Sequence, residues 1–127
     1  MNKYIMPIHF VIGKKKIFLG MNWYRNSHYF TQSKAKKIYH KMIIEQLDDN
    51  VRYEKIRLNI ILNINKLVKK DLGNITALHE KFFLDALVEN KNIEDDKLSN
   101  HLGSNTSYII DKNINIPYIC IEIIKIS

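Results

Sequence analysis

The chain of 127 residues has little cysteine, proline or glycine: one, two and four residues respectively. The single Cys120 cannot close an internal disulfide and lies in an apolar segment, so we expect a buried thiol in a reducing, cytoplasmic compartment. The scarcity of proline and glycine excludes collagen-like and low-complexity chains. No window reaches the ~18 consecutive apolar residues of a membrane helix, so no membrane contact is expected. The length and composition predict one globular domain spanning residues 1–127.

Acidic residues are missing from the first third of the chain. Residues 1–41 contain nine Lys and Arg and no Asp or Glu, whereas the remainder has eleven basic and thirteen acidic residues. A basic segment that also holds Trp23, Tyr24, Tyr29 and Phe30 suits a polyanion, because its cations meet phosphates and its rings can stack on bases. A solvated basic face with the aromatic rings in the core is the alternative. The candidate phosphate-contacting residues are Lys14, Lys15, Lys16, Arg25, Lys34, Lys37, Lys69 and Lys70.

Hydrophobic patterning predicts an α+β fold with a small mixed β-sheet and two helices packed on it, in the order β-β-α-β-α-β-β. The clearest signal is the period-two recurrence of apolar residues at positions 56, 58, 60, 62 and 64, which indicates a strand with one buried face. Residues 22–30 have no clear period and are predicted to form a loop. The other predicted elements are hairpin strands over 4–12 and 16–21, helices from Thr31 or Ser33 to Leu47 and from Asn74 to Glu89, and strands over 108–110 and 118–126.

Carboxylates gather around the predicted second helix, where a divalent cation could bind. Hard cations such as Mg²⁺ take oxygen ligands, commonly one or two carboxylates together with substrate phosphates. A helix over residues 75–89 is about 22 Å long at ~1.5 Å per residue, and residues 90–96 reach about 23 Å when extended. Asp96 can therefore just return to Asp71, and the spacing permits a shared site.

The same spacing also permits purely structural roles. Asp71 would then cap the second helix, Glu80 and Asp85 would pair with Lys81 and other bases, and the acidic turn after the helix would be solvated. The five histidines lack zinc-site spacing, and the sequence has neither a nucleophile elbow nor a glycine-rich phosphate loop. The residues alone leave both interpretations open.

Three sequence motifs, in this order, resemble the RusA family of Holliday-junction resolvases. The motifs are Lys69-Lys70-Asp71-Leu72-Gly73-Asn74, Lys81-Phe82-Phe83-Leu84-Asp85-Ala86-Leu87 and Asp95-Asp96. The similarity covers residues 55–127 well. In the N-terminal part, Asn22, Tyr24, Arg25 and His28 match the polar, aromatic loop of the family only loosely.

The resemblance implies a small α+β homodimer, of phage or prophage origin, that binds branched DNA in recombination and repair. It implies metal-dependent phosphodiester hydrolysis with Mg²⁺ or Mn²⁺ at two symmetric sites. Asp71 and Asp96 match the catalytic aspartates of the family, and Lys81 matches its helix lysine after one extra helical turn.

The second aspartate of the family falls on Gly73, so one expected ligand is missing. Asp95 is the expected substitute beside Asp71 and Asp96, with Glu80 and Asp85 as further candidates. The alternative is a catalytically degenerate DNA-binding or protein-interaction module on the same fold, and a small structural protein with a merely solubilising basic segment is a third possibility.

Overall fold

The computed structural model describes residues 3–47, 50–67, 71–95, 97 and 99–127. It has the predicted α+β architecture, with a four-stranded mixed sheet, a two-stranded sheet and three helices. The elements are β1 Lys3–Pro7, β2 His9–Ile12, β3 Lys15–Phe18, α1 Met21–Asn26, α2 Tyr29–Ile44, β4 Ile56–Ile64, α3 Leu72–Glu89, β5 His101–Ile110 and β6 Tyr118–Lys125. No helix among these described residues is long and apolar enough to cross a membrane.

The larger sheet has the strand order β1-β6-β4-β5. Strands β4 and β5 are parallel, whereas β6 runs antiparallel to both β1 and β4. In β4 the residues Ile56, Leu58 and Ile60 are fully buried and alternate with more exposed positions, as predicted. The segment β4-α3-β5 is a crossover between parallel strands, so α3 begins near the carboxyl end of β4 and returns the chain to the start of β5.

Helices α2 and α3 enclose the core on one face of this sheet. Tyr39 of α2 is fully buried, and its ring packs edge-on against Phe82 of α3 with centroids 5.4 Å apart. Its hydroxyl lies 3.0 Å from Nδ1 of His79, which is also fully buried. Burial lowers the pKa of His79 to about 3, so this ring is neutral at physiological pH.

The structure differs from the predicted elements at several boundaries. Helix α2 spans Tyr29–Ile44 instead of running from Thr31 or Ser33 to Leu47, and β5 spans His101–Ile110 instead of 108–110. The first predicted strand is divided at Ile8 into β1, which pairs with β6, and β2, which pairs with β3. Pro7 lacks an N–H and ends the β1 ladder there. Residues 21–26 form the short helix α1 within the predicted loop. Helix α3 begins at Leu72, two residues before the predicted start at Asn74, and Asp71 occupies its N-cap position.

The strands β2 and β3 form a hairpin with a basic tip, as predicted. Gly13 has φ +63° in the turn, a conformation that favours glycine because it has no Cβ. Lys14, Lys15 and Lys16 follow and are exposed. The hairpin therefore carries three cations away from the main sheet.

Candidate nucleic-acid interface

A cleft of about 580 Å³ lies between the basic hairpin, α1 and the first turn of α3. It joins Asp71 to two of the predicted phosphate-contacting lysines, which precede it by more than 50 positions in the sequence. We call it the Asp71 cleft. Its lining residues are Lys15, Lys16, Ile17, Phe18, Gly20, Asn22, Trp23, Asp71 and Asn74.

Asn74 fixes α1 against α3 and so shapes the cleft. Its Oδ1 accepts a hydrogen bond of 2.8 Å from the backbone N–H of Asn22, in the first turn of α1. That N–H has no partner within a short helix, so the side chain of Asn74 acts as a cap supplied from another element. Gly20 permits this approach, because a Cβ at position 20 would lie 2.8 Å from Nδ2 of Asn74.

Asp71 is exposed at the N-cap of α3, but its side chain makes no capping hydrogen bond. Among the residues that the structure describes, no lysine or arginine forms an ion pair with it. The side chain of Asp71 therefore does not cap α3, although the sequence spacing permitted that role. The carboxylate is available to a ligand, and the neighbouring helix N-terminus favours a phosphate group in the same place.

Lys81, the predicted catalytic lysine, lies away from this cleft. It follows Asp71 by ten residues on α3, which corresponds to about 15 Å along the helix axis. Its Nζ is 3.9 Å from Oδ2 of Asp85, which also lies 3.1 Å from Nζ of Lys36. Lys81 and Asp85 thus form the ion pair that was expected if these residues have purely structural roles. The structure does not bring Lys81 close to Asp71.

Asp95, the expected substitute ligand, lies beyond the other end of α3. The N–H of Ile93 is 3.5 Å from the carbonyl of Leu87, a residue about 24 Å along the helix from Asp71. The two residues from Ile93 to Asp95 span only about 7 Å, which leaves a gap of more than roughly 10 Å to Asp71. The structure therefore separates Asp71 from Asp95.

Asp96, Lys69 and Lys70 lie outside the described residues. Within the described ranges, no group of three or more His, Cys, Asp or Glu side chains lies close enough together to hold a metal ion. Of the predicted ligands, Asp71 alone is placed in the cleft by the described residues.

The remaining predicted phosphate contacts fall on three elements. Lys14 is at the hairpin tip, Arg25 is in the last turn of α1, and Lys34 is exposed on α2. Lys37 is also exposed on α2 and lines a separate groove of about 540 Å³ beside His40 of the same helix. The basic residues thus extend from the Asp71 cleft over α1 and along α2.

Of the four aromatic residues predicted to be able to stack on bases, the structure exposes two and packs the other two against the core. Trp23 and Tyr24 pack partly buried against the core, whereas Tyr29 and Phe30 at the start of α2 are 71% and 69% exposed. Phe30 lies on the same helical stripe as Lys34, four residues further along the chain. Once α2 is extended back to Tyr29, both rings fall on its basic side.

Neither the models of known protein families nor the curated proteins include a match to this chain.

Proposed function

We propose that the protein is a divalent-metal-dependent endonuclease that resolves four-way DNA junctions. The supporting observation is the Asp71 cleft, in which one available carboxylate lies beside Lys15 and Lys16 at the first turn of a helix. The resemblance of the motifs around Asp71 and Asp85 to the RusA family supports the same function. The proposed role of the protein is in DNA recombination and repair.

The residues of the cleft fit the way Mg²⁺ or Mn²⁺ is held in phosphate chemistry. Magnesium keeps several waters and needs only one or two carboxylates besides the phosphates of its substrate. Asp71 supplies an exposed carboxylate with no capping hydrogen bond. A bound ion would polarise a phosphate oxygen and activate water.

The other cleft residues position the DNA. The ammonium groups of Lys15 and Lys16 attract and neutralise the phosphate that Asp71 faces, and they contact the backbone without reading sequence. Asn74 acts as a positioning residue, because its Oδ1 is already engaged by Asn22. Arg25 and Lys34 extend the positive surface for a second DNA arm.

Cleavage of a labelled four-way junction tests this proposal. The wild type is incubated in Mg²⁺ and in Mn²⁺ beside a linear duplex, and Asp71→Asn is compared with the matched control Asp111→Asn. Asp111 is exposed in the β5–β6 loop and accepts a hydrogen bond from the N–H of Asn113, which asparagine can also accept. Junction-specific nicks that vanish only in Asp71→Asn support the proposal. Unchanged nicking by Asp71→Asn, or equal cutting of linear duplex, contradicts it.

A catalytically degenerate DNA-binding module is the second candidate function. It is favoured by Gly73, which stands where the RusA family has an aspartate, and by the distance of Asp95 from Asp71. This alternative predicts salt-sensitive junction binding in a gel-shift assay, because phosphate contacts release counterions. It also predicts no nicking at any concentration of either metal, so the same reaction mixtures distinguish the two functions.

A further inference from the structure

The two edge strands of the four-stranded sheet, β1 and β5, differ in the hydrogen bonding of their outward backbone groups. On the β1 edge, the carboxamide of Gln46 accepts a hydrogen bond of 3.1 Å from the N–H of Ile5 and donates one of 3.2 Å to its carbonyl. This side chain therefore occupies the position of a neighbouring strand. On the β5 edge, no hydrogen bond reaches the outer side of the strand from any residue that the structure describes.

The outward groups of β5 can be assigned from its pairing with β4. The N–H of Asp111 donates to the carbonyl of Ile64 at 2.8 Å, so Asp111 directs its backbone groups toward β4. Because these groups alternate in direction along a strand, Thr106, Tyr108 and Ile110 direct theirs outward. An unpaired strand edge of this kind is a template for another strand.

The side chains at this edge are also left uncovered. Tyr108 and Ile110 are in register with Leu62 and Ile64, whose side chains are buried under the helices. Even so, Tyr108 is 51% exposed and Ile110 is 44% exposed. The outer strip of β5 therefore combines free backbone groups with apolar surface.

The charge pattern of β5 suits pairing with itself. Residues 102–110 carry no charged side chain, although 26% of the whole chain is charged. Folded proteins normally protect a free edge with lysine, proline or a bulge. The register shift of β5 lies near its start, between His101 and Ser104, and the outward residues Thr106, Tyr108 and Ile110 beyond it include neither lysine nor proline. Two antiparallel copies of a neutral strand bring no like charges together.

We propose that β5 pairs antiparallel with β5 of a second copy, around a twofold axis at Tyr108, to form a continuous eight-stranded sheet. In this register Tyr108 faces Tyr108 of the second copy, and Thr106 faces Ile110. Asp111 and Lys112 fall opposite the neutral side chains of Asn105 and Ser104. Aromatic and β-branched cross-strand pairs of this kind stabilise a sheet.

Sedimentation equilibrium over a range of protein concentrations tests whether two chains associate through the β5 edge. The wild type should sediment as a dimer of the 15.1 kDa chain. Tyr108→Lys places two ammonium groups opposite each other and should give a monomer with an unchanged circular dichroism spectrum. The matched control is Val11→Lys, since Val11 is 66% exposed on β2, and it should remain dimeric.

A disulfide experiment tests the register. In a Cys120→Ser background, oxidised Tyr108→Cys should cross-link two chains, because a hydrogen-bonded antiparallel pair places its Cα atoms about 5.5 Å apart. Val11→Cys should not cross-link. A wild type that is monomeric throughout, or a dimer that survives Tyr108→Lys, overturns the proposal. Neither readout involves DNA, so this inference and the nuclease function can fail separately.

Discussion

Replacing Gly73 by aspartate should stabilise the fold and should also strengthen the proposed metal-dependent cleavage. Gly73 is the second residue of α3, is exposed, and an added Cβ meets nothing within 4 Å. Its φ is not in the left-handed region, so the backbone accepts any L-residue without strain.

The expected gain in stability is about 1 kcal/mol. Glycine within a helix costs roughly 0.5–1 kcal/mol relative to alanine, part of which Asp recovers. The first turn of α3 contains no acidic residue, and an aspartate there interacts favourably with the helix dipole by about 0.3–1 kcal/mol. For a chain of this size the midpoint of thermal unfolding should rise by about 3–5 °C. Gly73→Asn is the matched control, because it lacks the charge and should gain less.

The functional part of this prediction is measured by junction cleavage against Mg²⁺ concentration. A carboxylate two residues from Asp71 adds an anionic ligand candidate at the same helix end, so Gly73→Asp should reach half-maximal cleavage at about tenfold lower Mg²⁺. Gly73→Asn should match the wild type. An unchanged melting midpoint would refute the helix argument, and an unchanged Mg²⁺ requirement in a stabilised Gly73→Asp would show that position 73 does not face the metal.

Two further predictions concern the buried histidine and the exposed aromatic pair. His79 has a pKa of about 3 in the fold against 6.5 when exposed, so below pH 6.5 only the unfolded chain takes up its proton. The free energy of unfolding should therefore fall by up to about 1.4 kcal/mol per pH unit as the pH drops from 6.5 toward 3. Urea unfolding at pH 7 and pH 5 measures this loss, and an equal loss in His79→Gln would contradict it. Tyr29→Ala and Phe30→Ala should each weaken junction binding by about 1–3 kcal/mol if these rings stack on bases, whereas equal affinity in a fluorescence-anisotropy titration would exclude stacking.

The elements with one buried face could be predicted from the sequence. The period-two alternation in β4, and the spacing of Ile75, Leu78 and Phe82 on α3, reflect burial directly, and these elements were found with errors of at most a few residues. Strand β5 was predicted only over 108–110, because residues 105–110 are exposed on both faces and show no alternation. Its length is set by the pairing with β4, which the local sequence does not encode.

The short helix α1 was missed for a related reason. Six residues are too few to show a helical period, and none of them is fully buried. Its first turn is held by the side chain of Asn74, which comes 52 positions after Asn22 in the sequence. A cap supplied from so far along the chain leaves no mark in the local residue pattern.

The candidate site was predictable in its residue types but not in its assembly. The sequence spacing gave the length of α3, but not the direction in which the chain continues after it. The distance estimate assumed an extended segment after α3, whereas the described chain first turns back on the helix end, where the N–H of Asn92 donates to the carbonyl of Leu87. The carbonyl of Asn92 then accepts a hydrogen bond from the N–H of Tyr53, ahead of β4. These contacts hold the segment at the end of the sheet opposite Asp71.

The crossover β4-α3-β5 and the proposed β5 pairing together constrain how two clefts would meet DNA. The Asp71 cleft lies toward the carboxyl end of β4, where sheets of parallel strands commonly bind ligands. A twofold axis through antiparallel β5 strands keeps both helical layers on one face and points the two β4 strands in opposite directions. At about 4.8 Å per strand, the two β4 strands would lie about 14 Å apart, with their clefts at opposite ends of the joined sheet. Two clefts of opposite orientation suit the symmetric cutting of two strands, since the arms of a junction are themselves related by a twofold axis. A monomeric Tyr108→Lys would retain one complete cleft, so under the proposed function it should nick junctions singly, whereas the proposed dimer should nick them in pairs.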